Sequence, residues 1–149
     1  MSQPVRVLIV DDHVMFAEGL AASLGARDEI EIVGLAATGA AAFDAARRDR
    51  PDVVLIDYGL PDDDGARVSK RIRDACPDTR VVMVTSLVDD RIVLAAVEAG
   101  CSGYITKDRS SADVAAAVLA AHDGDMLISP AMLARLLPRG STGWGEPDE

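Results

Sequence analysis

The sequence is poor in cysteine and in basic residues. Its two cysteines, Cys76 and Cys101, stand far apart and in no metal-binding spacing, which argues against a disulfide framework or a zinc site and predicts two buried free thiols. Fifteen Lys and Arg oppose twenty-five Asp and Glu, so the net charge is −10. Such a charge repels phosphate backbones and argues against nucleic-acid binding by this chain alone.

Long apolar segments are also missing. The first six residues lack the apolar stretch of a signal peptide, and the run from Val7 to Val10 is interrupted by Asp11. No run is long enough to span a bilayer. These features predict a cytoplasmic protein without membrane contact.

What the sequence does contain is a regular alternation of short apolar runs and helical patterns. At 149 residues and 49% apolar content, the chain suffices for one domain with a single core. The predicted strands are Val5–Val10, Ile30–Ala36, Val53–Asp57, Arg80–Thr85 and Gly103–Thr106. The predicted helices are Val14–Leu24, an Ala-rich helix that follows Thr38-Gly39 and runs to about Asp49, Gly65–Ala75, about Asp89–Ala99, and a last helix capped by Ser110-Ser111 that runs to about His122. This alternation predicts the α/β class: a doubly wound, five-stranded parallel sheet in the order 2-1-3-4-5 with helices on both faces.

The C-terminal part departs from this pattern. Residues Ile128–Leu137 can form one short amphipathic helix, with Ser129 as its cap and Pro130 in its first turn. Residues Pro138–Glu149 are rich in Gly, Pro and acids and look like a flexible linker. We therefore expect a main domain at 4–124 and a linker helix with a flexible tail at 125–149.

Polar groups follow four of the predicted strands at the point where each strand ends. Asp11 and Asp12 follow the first strand, Asp57 ends the third, Thr85 ends the fourth and Lys107 follows the fifth. The carboxyl ends of parallel strands share one edge of the sheet, where ligands bind in open α/β folds. We therefore predict a site at this edge with Asp57 as its reactive centre.

Three converging carboxylates repel one another unless a cation lies among them. Magnesium suits such a site because it takes one or two carboxylates and completes its shell with water and phosphate oxygens. Lys107, one of only two lysines, can bridge a carboxylate and a phosphoryl oxygen, and the Thr85 hydroxyl can donate to another such oxygen. The plainer alternative is that Asp11 and Asp12 only cap the first helix.

In this order, these residues resemble the receiver domain of two-component response regulators. The resemblance covers residues 4–124 and rests on four ordered motifs. These are Asp11-Asp12, Asp57-x-x-x-Pro61-x-x-x-Gly65, Thr85 after an apolar strand, and Gly103-Tyr104-Ile105-Thr106-Lys107. His13 and Asp108 are similar to the NarL/FixJ group, whose members carry LuxR-type output domains.

The resemblance implies a phosphorylation site. Asp57 would accept a phosphoryl group from a sensor histidine kinase. Asp12, Asp57 and the backbone carbonyl of Gly59 would bind Mg²⁺, with Asp11 acting mostly through water. Lys107 and Thr85 would hold the phosphoryl oxygens. Such a protein is a signalling switch that catalyses its own phosphorylation and dephosphorylation, and not an enzyme in the usual sense.

The resemblance also implies how the signal is passed on. Thr85 and Tyr104 would move on phosphorylation and change the face formed by residues 89–122, which would favour a homodimer. Ordinary packing of Tyr104 is the plainer alternative. Gly59 and Leu87 occupy the positions that tune phosphoryl lifetime. DNA binding and transcription regulation would belong to a helix-turn-helix domain after the linker, absent from this chain.

One alternative function stays open, and two others are argued against by single residues. A stand-alone or phosphorylation-independent receiver, acting as a protein-interaction module, is the alternative. A phosphatase of the haloacid-dehalogenase type needs a second Asp where Gly59 stands, and a flavodoxin-like binder needs a phosphate loop where the acids at 11 and 12 stand. We further expect Asp62, Asp63 and Asp64 to form a solvated loop. His13 can instead be only a helix-start residue near the acids, and we assign it no catalytic role.

Overall fold

The computed structural model describes residues 3–87 and 89–126, and it confirms the predicted fold class. The strands are β1 (Val5–Val10), β2 (Ile30–Ala36), β3 (Val53–Ile56), β4 (Arg80–Thr85) and β5 (Gly103–Thr106). The helices are α1 (Val14–Gly25), α2 (Gly39–Asp49), α3 (Gly65–Ala75), α4 (Asp90–Glu98) and α5 (Ser111–His122). All strand pairs are parallel, in the order β2-β1-β3-β4-β5. The helix predicted at 128–137 and the tail at 138–149 lie outside the described residues.

The sheet separates two hydrophobic clusters. Val54 and Ile56 of β3 pack on the side of α2, α3 and α4, whereas Val53 and Leu55 pack on the side of α1 and α5. Because successive side chains of a strand point to opposite faces, a continuous apolar run indicates a strand buried on both sides. The β3 sequence is such a run, and all four of its residues are buried.

The element bounds differ from the prediction by one residue at a few ends. The Asp89 side chain accepts from the Arg91 backbone N–H at 2.8 Å, so Asp89 is the N-cap of α4 and not its first residue. Strand β3 ends at Ile56, but the Asp57 N–H still donates to the Val10 carbonyl at 2.9 Å. Asp57 therefore lies directly past the strand and is still held by the neighbouring strand.

The loop between β3 and α3 is closed by backbone contacts that require glycine at position 65. The Gly65 N–H donates to the Tyr58 carbonyl at 2.6 Å, and Gly59 pairs with Asp64 in an antiparallel bridge. A Cβ atom on Gly65 would lie 2.1 Å from the Asp57 carbonyl oxygen. The glycine of the predicted motif thus allows the first turn of α3 to contact the backbone of Asp57.

The acidic loop at 62–64, predicted to be solvated, caps helices through two of its residues, and Asp62 is exposed. The Asp62 carboxylate accepts from the Gly39 N–H at 2.7 Å and the Ala40 N–H at 3.0 Å, at the start of α2. Asp64 caps α3 by accepting from the Arg67 N–H at 2.8 Å. These carboxylates satisfy N–H groups that a helix start leaves without intrahelical partners.

Candidate functional site

The predicted acids meet at the carboxyl edge of the sheet. Asp11 and Asp57 are each only 4% exposed, whereas Asp12 is exposed. Backbone bonds from the Asp11 N–H to Ala36 and from the Asp57 N–H to Val10, each 2.9 Å long, fix the two buried acids against neighbouring strands. A buried carboxylate is costly unless it is paired. The two buried carboxylates therefore need nearby groups that pair with them.

Lys107 is the group that pairs the two buried acids. Its Nζ atom lies 2.7 Å from Asp11 Oδ2 and 3.0 Å from Asp57 Oδ2, and its side chain is 12% exposed. The ammonium also lies 4.6 Å from the centre of the Phe16 ring, a cation–π contact. Burial by itself lowers the pKa of Lys107, but hydrogen bonds to Asp11 and Asp57 outweigh it and raise the pKa above its ordinary value. Lys107 therefore stays a cation beside Asp57.

His13, to which the sequence assigned no catalytic role, lies at the N-cap of α1 and inside this cluster. Its Nδ1 atom is 2.9 Å from Asp11 Oδ1, 3.6 Å from Asp12 Oδ1 and 3.7 Å from Asp57 Oδ2. Lys107 Nζ is 3.0 Å from the same nitrogen. The sequence signal was adjacency to the two acids, but adjacency does not tell which way a ring points.

The structure also limits the helix-capping alternative for the first two acids. His13 is the N-cap residue of α1 and makes no side-chain capping bond. Asp11 Oδ1 accepts from the His13 N–H at 2.8 Å, which leaves the free N–H groups of the first helical turn to other partners. Asp11 therefore supports the start of the helix from outside, while its other oxygen contacts Lys107.

The predicted switch residues form a second group beside the acids. Thr85 is fully buried, its hydroxyl accepts from the Leu87 N–H at 3.3 Å, and its carbonyl accepts from the Lys107 N–H at 3.0 Å. Tyr104 is buried in the α4-side cluster, and its hydroxyl donates to the Leu87 carbonyl. The Leu87 side chain itself is 45% exposed. Tyr104 therefore links β5 to the segment that follows β4.

The donor set fits a small divalent cation. One ligand atom from each of Asp11, Asp12, His13 and Asp57 can be chosen so that all four lie within 4.8 Å of one another. Three of these groups are carboxylates, which are the ligands Mg²⁺ prefers, and Asp12 faces solvent so that bound water can complete the shell. Gly59 lies two residues past Asp57 in the adjoining loop.

Together, these features define a doubly wound α/β domain with a paired acid and lysine at the carboxyl edge of its parallel sheet. Residues 7–119 match the response regulator receiver domain family. The chain belongs to this family.

Curated relatives agree with the family model. The chain is 35% identical over 133 residues to the transcriptional regulatory protein LnrK of Bacillus subtilis strain 168, covering 89% of this chain and 60% of LnrK. It is 35% identical over 135 residues to the response regulator protein VraR of Staphylococcus epidermidis, covering 91% of this chain and 65% of VraR. The chain thus spans less than two thirds of either relative.

Solved structures share the fold. The signal receiver domain of a response regulator named NarL from Mycobacterium tuberculosis is 35% identical, with a TM-score of 0.79, and the match covers 83% of this chain and 99% of that domain. A two-component response regulator of the LuxR family from Aurantimonas sp. SI85-9A1 is 29% identical, with a TM-score of 0.85, covering 92% and 98%. Among the described residues, no helix is both long and apolar enough to cross a membrane.

Proposed function

We propose that the chain is a phosphorylation-activated receiver in which Asp57 accepts a phosphoryl group from a sensor histidine kinase. The observation that carries this proposal is the buried Asp57 carboxylate with the Lys107 ammonium 3.0 Å away and two further acids at the same edge. An acid held this way is shielded from bulk water yet lies at the end of its strand, where a donor can reach it.

The reaction follows from these positions. An Asp57 carboxylate oxygen attacks the phosphorus atom, the bond between phosphorus and the donor's imidazole nitrogen breaks, and the product is an acyl phosphate on Asp57. Lys107 shifts from the carboxylate toward a phosphoryl oxygen, and the Thr85 hydroxyl donates to a second one. Hydrolysis by water returns Asp57 and releases inorganic phosphate. This chemistry needs positioning and charge neutralisation more than a strong nucleophile.

The acidic cluster is suited to hold Mg²⁺ during this transfer. Asp12, Asp57 and the Gly59 carbonyl would be the direct ligands, and Asp11 would act mostly through water. When bound, the ion neutralises charge on the transferred group. Asp12 supports this assignment because it is the exposed acid of the cluster.

The switch we propose uses Thr85 and Tyr104. When Thr85 moves toward the phosphoryl group, the segment after β4 follows, since the Leu87 N–H is bonded to the Thr85 hydroxyl. The Leu87 carbonyl of the same segment accepts a hydrogen bond from the Tyr104 hydroxyl. Movement of the segment would therefore change the side-chain conformation of Tyr104. The face formed by α4, β5 and α5 would then favour a homodimer.

The wider role follows the relatives. The name of LnrK describes a transcriptional regulatory protein. We propose that residues 4–124 form the receiver, that 125–149 lead as a linker to a helix-turn-helix domain, and that DNA is bound only through that domain. A cytoplasmic location and a switch-like role without other substrates belong to the same proposal.

The test is intact mass after incubation with acetyl phosphate, with and without Mg²⁺. We expect a Mg²⁺-dependent gain of one phosphoryl group on the natural chain and none on Asp57→Asn. Asp63→Asn is a matched control, because Asp63 is an acid of the adjoining loop whose carboxylate contacts only neighbours of that loop and α3. This control variant should be phosphorylated like the natural chain.

Failure of the proposal has a clear signature. If no phosphoryl group is gained under any condition, or if Asp57→Asn gains it equally, Asp57 is not the acceptor. In the first case a phosphorylation-independent interaction module becomes the better description.

A further inference from the structure

We propose that His13 is a ligand of the cation site and makes it bind Mn²⁺ and Co²⁺ more tightly than Mg²⁺. This inference rests on the proposed function, because it concerns the same cation site. It adds a nitrogen ligand to a site whose other ligands are oxygen atoms, and that nitrogen should strengthen the binding of transition metals. The argument starts from the position of one nitrogen atom.

The first step is the spacing of His13 Nδ1 from the acids. The nitrogen lies 2.9, 3.6 and 3.7 Å from oxygens of Asp11, Asp12 and Asp57. Ligand atoms about 2.1 Å from one cation stand about 3.0 Å apart at neighbouring octahedral positions and about 3.4 Å apart in a tetrahedron. The observed separations are close to these edges. His13 is therefore already near a ligand position without a change of backbone.

The second step is what already lies among these atoms. Lys107 Nζ is 2.7 Å from Asp11 Oδ2, 3.0 Å from Asp57 Oδ2 and 3.0 Å from His13 Nδ1. A positively charged group therefore already lies against the two buried acids and the His13 nitrogen. Imidazole nitrogens are common metal ligands.

The third step is that the His13 ring has no other structural role among the described contacts. It stands at the N-cap of α1 yet makes no capping bond, and its side chain is 63% exposed. All of its polar contacts are with the acids and with Lys107. Removing the ring therefore takes a nitrogen from the cation site and leaves the core intact.

The metal preference follows from ligand chemistry. Oxygen ligands suit Mg²⁺, whereas an imidazole nitrogen favours transition metals, whose affinity for such sites rises from Mn²⁺ to Co²⁺ and beyond. A site that adds the His13 imidazole to Asp12, Asp57 and the Gly59 carbonyl should therefore hold Mn²⁺ and Co²⁺ partly through nitrogen. Mg²⁺ should depend on the oxygen ligands alone.

The experiment is calorimetric titration of the whole chain with Mg²⁺, Mn²⁺ and Co²⁺, alongside pulsed EPR of the Mn²⁺ complex to detect a bound nitrogen. We expect His13→Ala to weaken Mn²⁺ and Co²⁺ binding by about tenfold or more, to change Mg²⁺ binding by less than about threefold, and to abolish the nitrogen signal. His13→Asn keeps a polar side chain and should behave like His13→Ala.

The control is His122→Ala, which removes the only other histidine, at the far end of α5. It should keep the natural affinities and the nitrogen signal. Equal Mn²⁺ and Co²⁺ affinities in the natural chain and His13→Ala, or a nitrogen signal that persists in His13→Ala, would overturn the assignment. Unchanged phosphorylation and Mg²⁺ binding in that case would leave the proposed function standing. A natural chain that neither binds Mg²⁺ nor gains a phosphoryl group would refute the proposed function instead.

Discussion

Substituting Gly65 by alanine should damage both stability and phosphorylation, although residue 65 carries no chemistry. The added methyl would lie 2.1 Å from the Asp57 carbonyl oxygen, and 2.9 Å from both the Asp57 carbonyl carbon and Tyr58 Cα. Ordinary contact begins at 3.4 Å, so the first turn of α3 must retreat by about 1 Å from rigid backbone atoms. Overpacking of this kind costs about 1 to 3 kcal/mol.

The same shift should slow the chemistry. The retreat strains the 2.6 Å hydrogen bond from the Gly65 N–H to the Tyr58 carbonyl, which fixes the backbone next to Asp57. A misplacement of about 1 Å near reacting groups can cost about a hundredfold in rate. We therefore expect Gly65→Ala to unfold at a lower guanidinium concentration than the natural chain. We also expect its phosphorylation by acetyl phosphate, measured by intact mass, to be about ten- to a hundredfold slower.

Gly59→Ala is the matched control because it makes the same change in the same loop. A Cβ atom there meets nothing within 4 Å. Its free energy of unfolding should stay within about 0.5 kcal/mol of the natural chain. If Gly65→Ala were as stable as Gly59→Ala and were phosphorylated as quickly as the natural chain, the close approach would not be a real constraint and the reasoning would be refuted.

Three further predictions concern single side chains. Backbone N–H groups of Gly39 and Ala40 hold the pKa of Asp62 below its ordinary value of 3.8, so its contribution to stability is complete above that pH and is lost as the pH falls toward the lowered pKa. Asp62→Asn should therefore have a lower melting temperature than the natural chain at pH 7, measured by circular dichroism. This difference in melting temperature should shrink below about pH 4, and a difference that stays constant with pH would contradict the capping role. If Leu87 shields the acyl phosphate, Leu87→Ala and Leu87→Glu should shorten the phosphoryl lifetime several-fold, as measured by the loss of the phosphorylated mass over time. A loss as slow as in the natural chain would exclude this role of Leu87. Burial raises the pKa of the Cys101 thiol to about 11, so a thiol reagent at pH 8 should label Cys101 only after denaturation, and fast labelling of the native chain would show that α4 opens readily.

The fold could be predicted almost completely because its signals are local. The run Val53 to Ile56 is apolar at every position, which indicates a strand covered on both faces, and Gly59 and Pro61 end it within a few residues. With five strands separated by helices, the handedness of the crossovers leaves few strand orders. The edge position of Asp57 and Lys107 followed from the same reasoning.

The rest of the site could not be predicted because it depends on contacts between distant residues. Asp62 caps a helix that begins 23 residues earlier in the chain, which no local pattern records. His13 Nδ1 lies 3.0 Å from the Nζ atom of Lys107, which is 94 residues away in the sequence. In the same way, only the assembled backbone shows that a methyl at position 65 collides with Asp57.

The position of β3 has a consequence for how the molecule opens. Its four residues are at most 1% exposed, and it is bonded to β1 on one side and to β4 on the other. Amide protons of such a strand exchange with solvent only when the whole domain unfolds, whereas edge elements exchange through smaller openings. Hydrogen exchange should therefore be slowest in β3 and faster in α4 and β5. Asp57, the proposed phosphoryl acceptor, thus lies next to the part of the molecule that opens last. The conformational freedom that the proposed switch needs lies in α4 and β5.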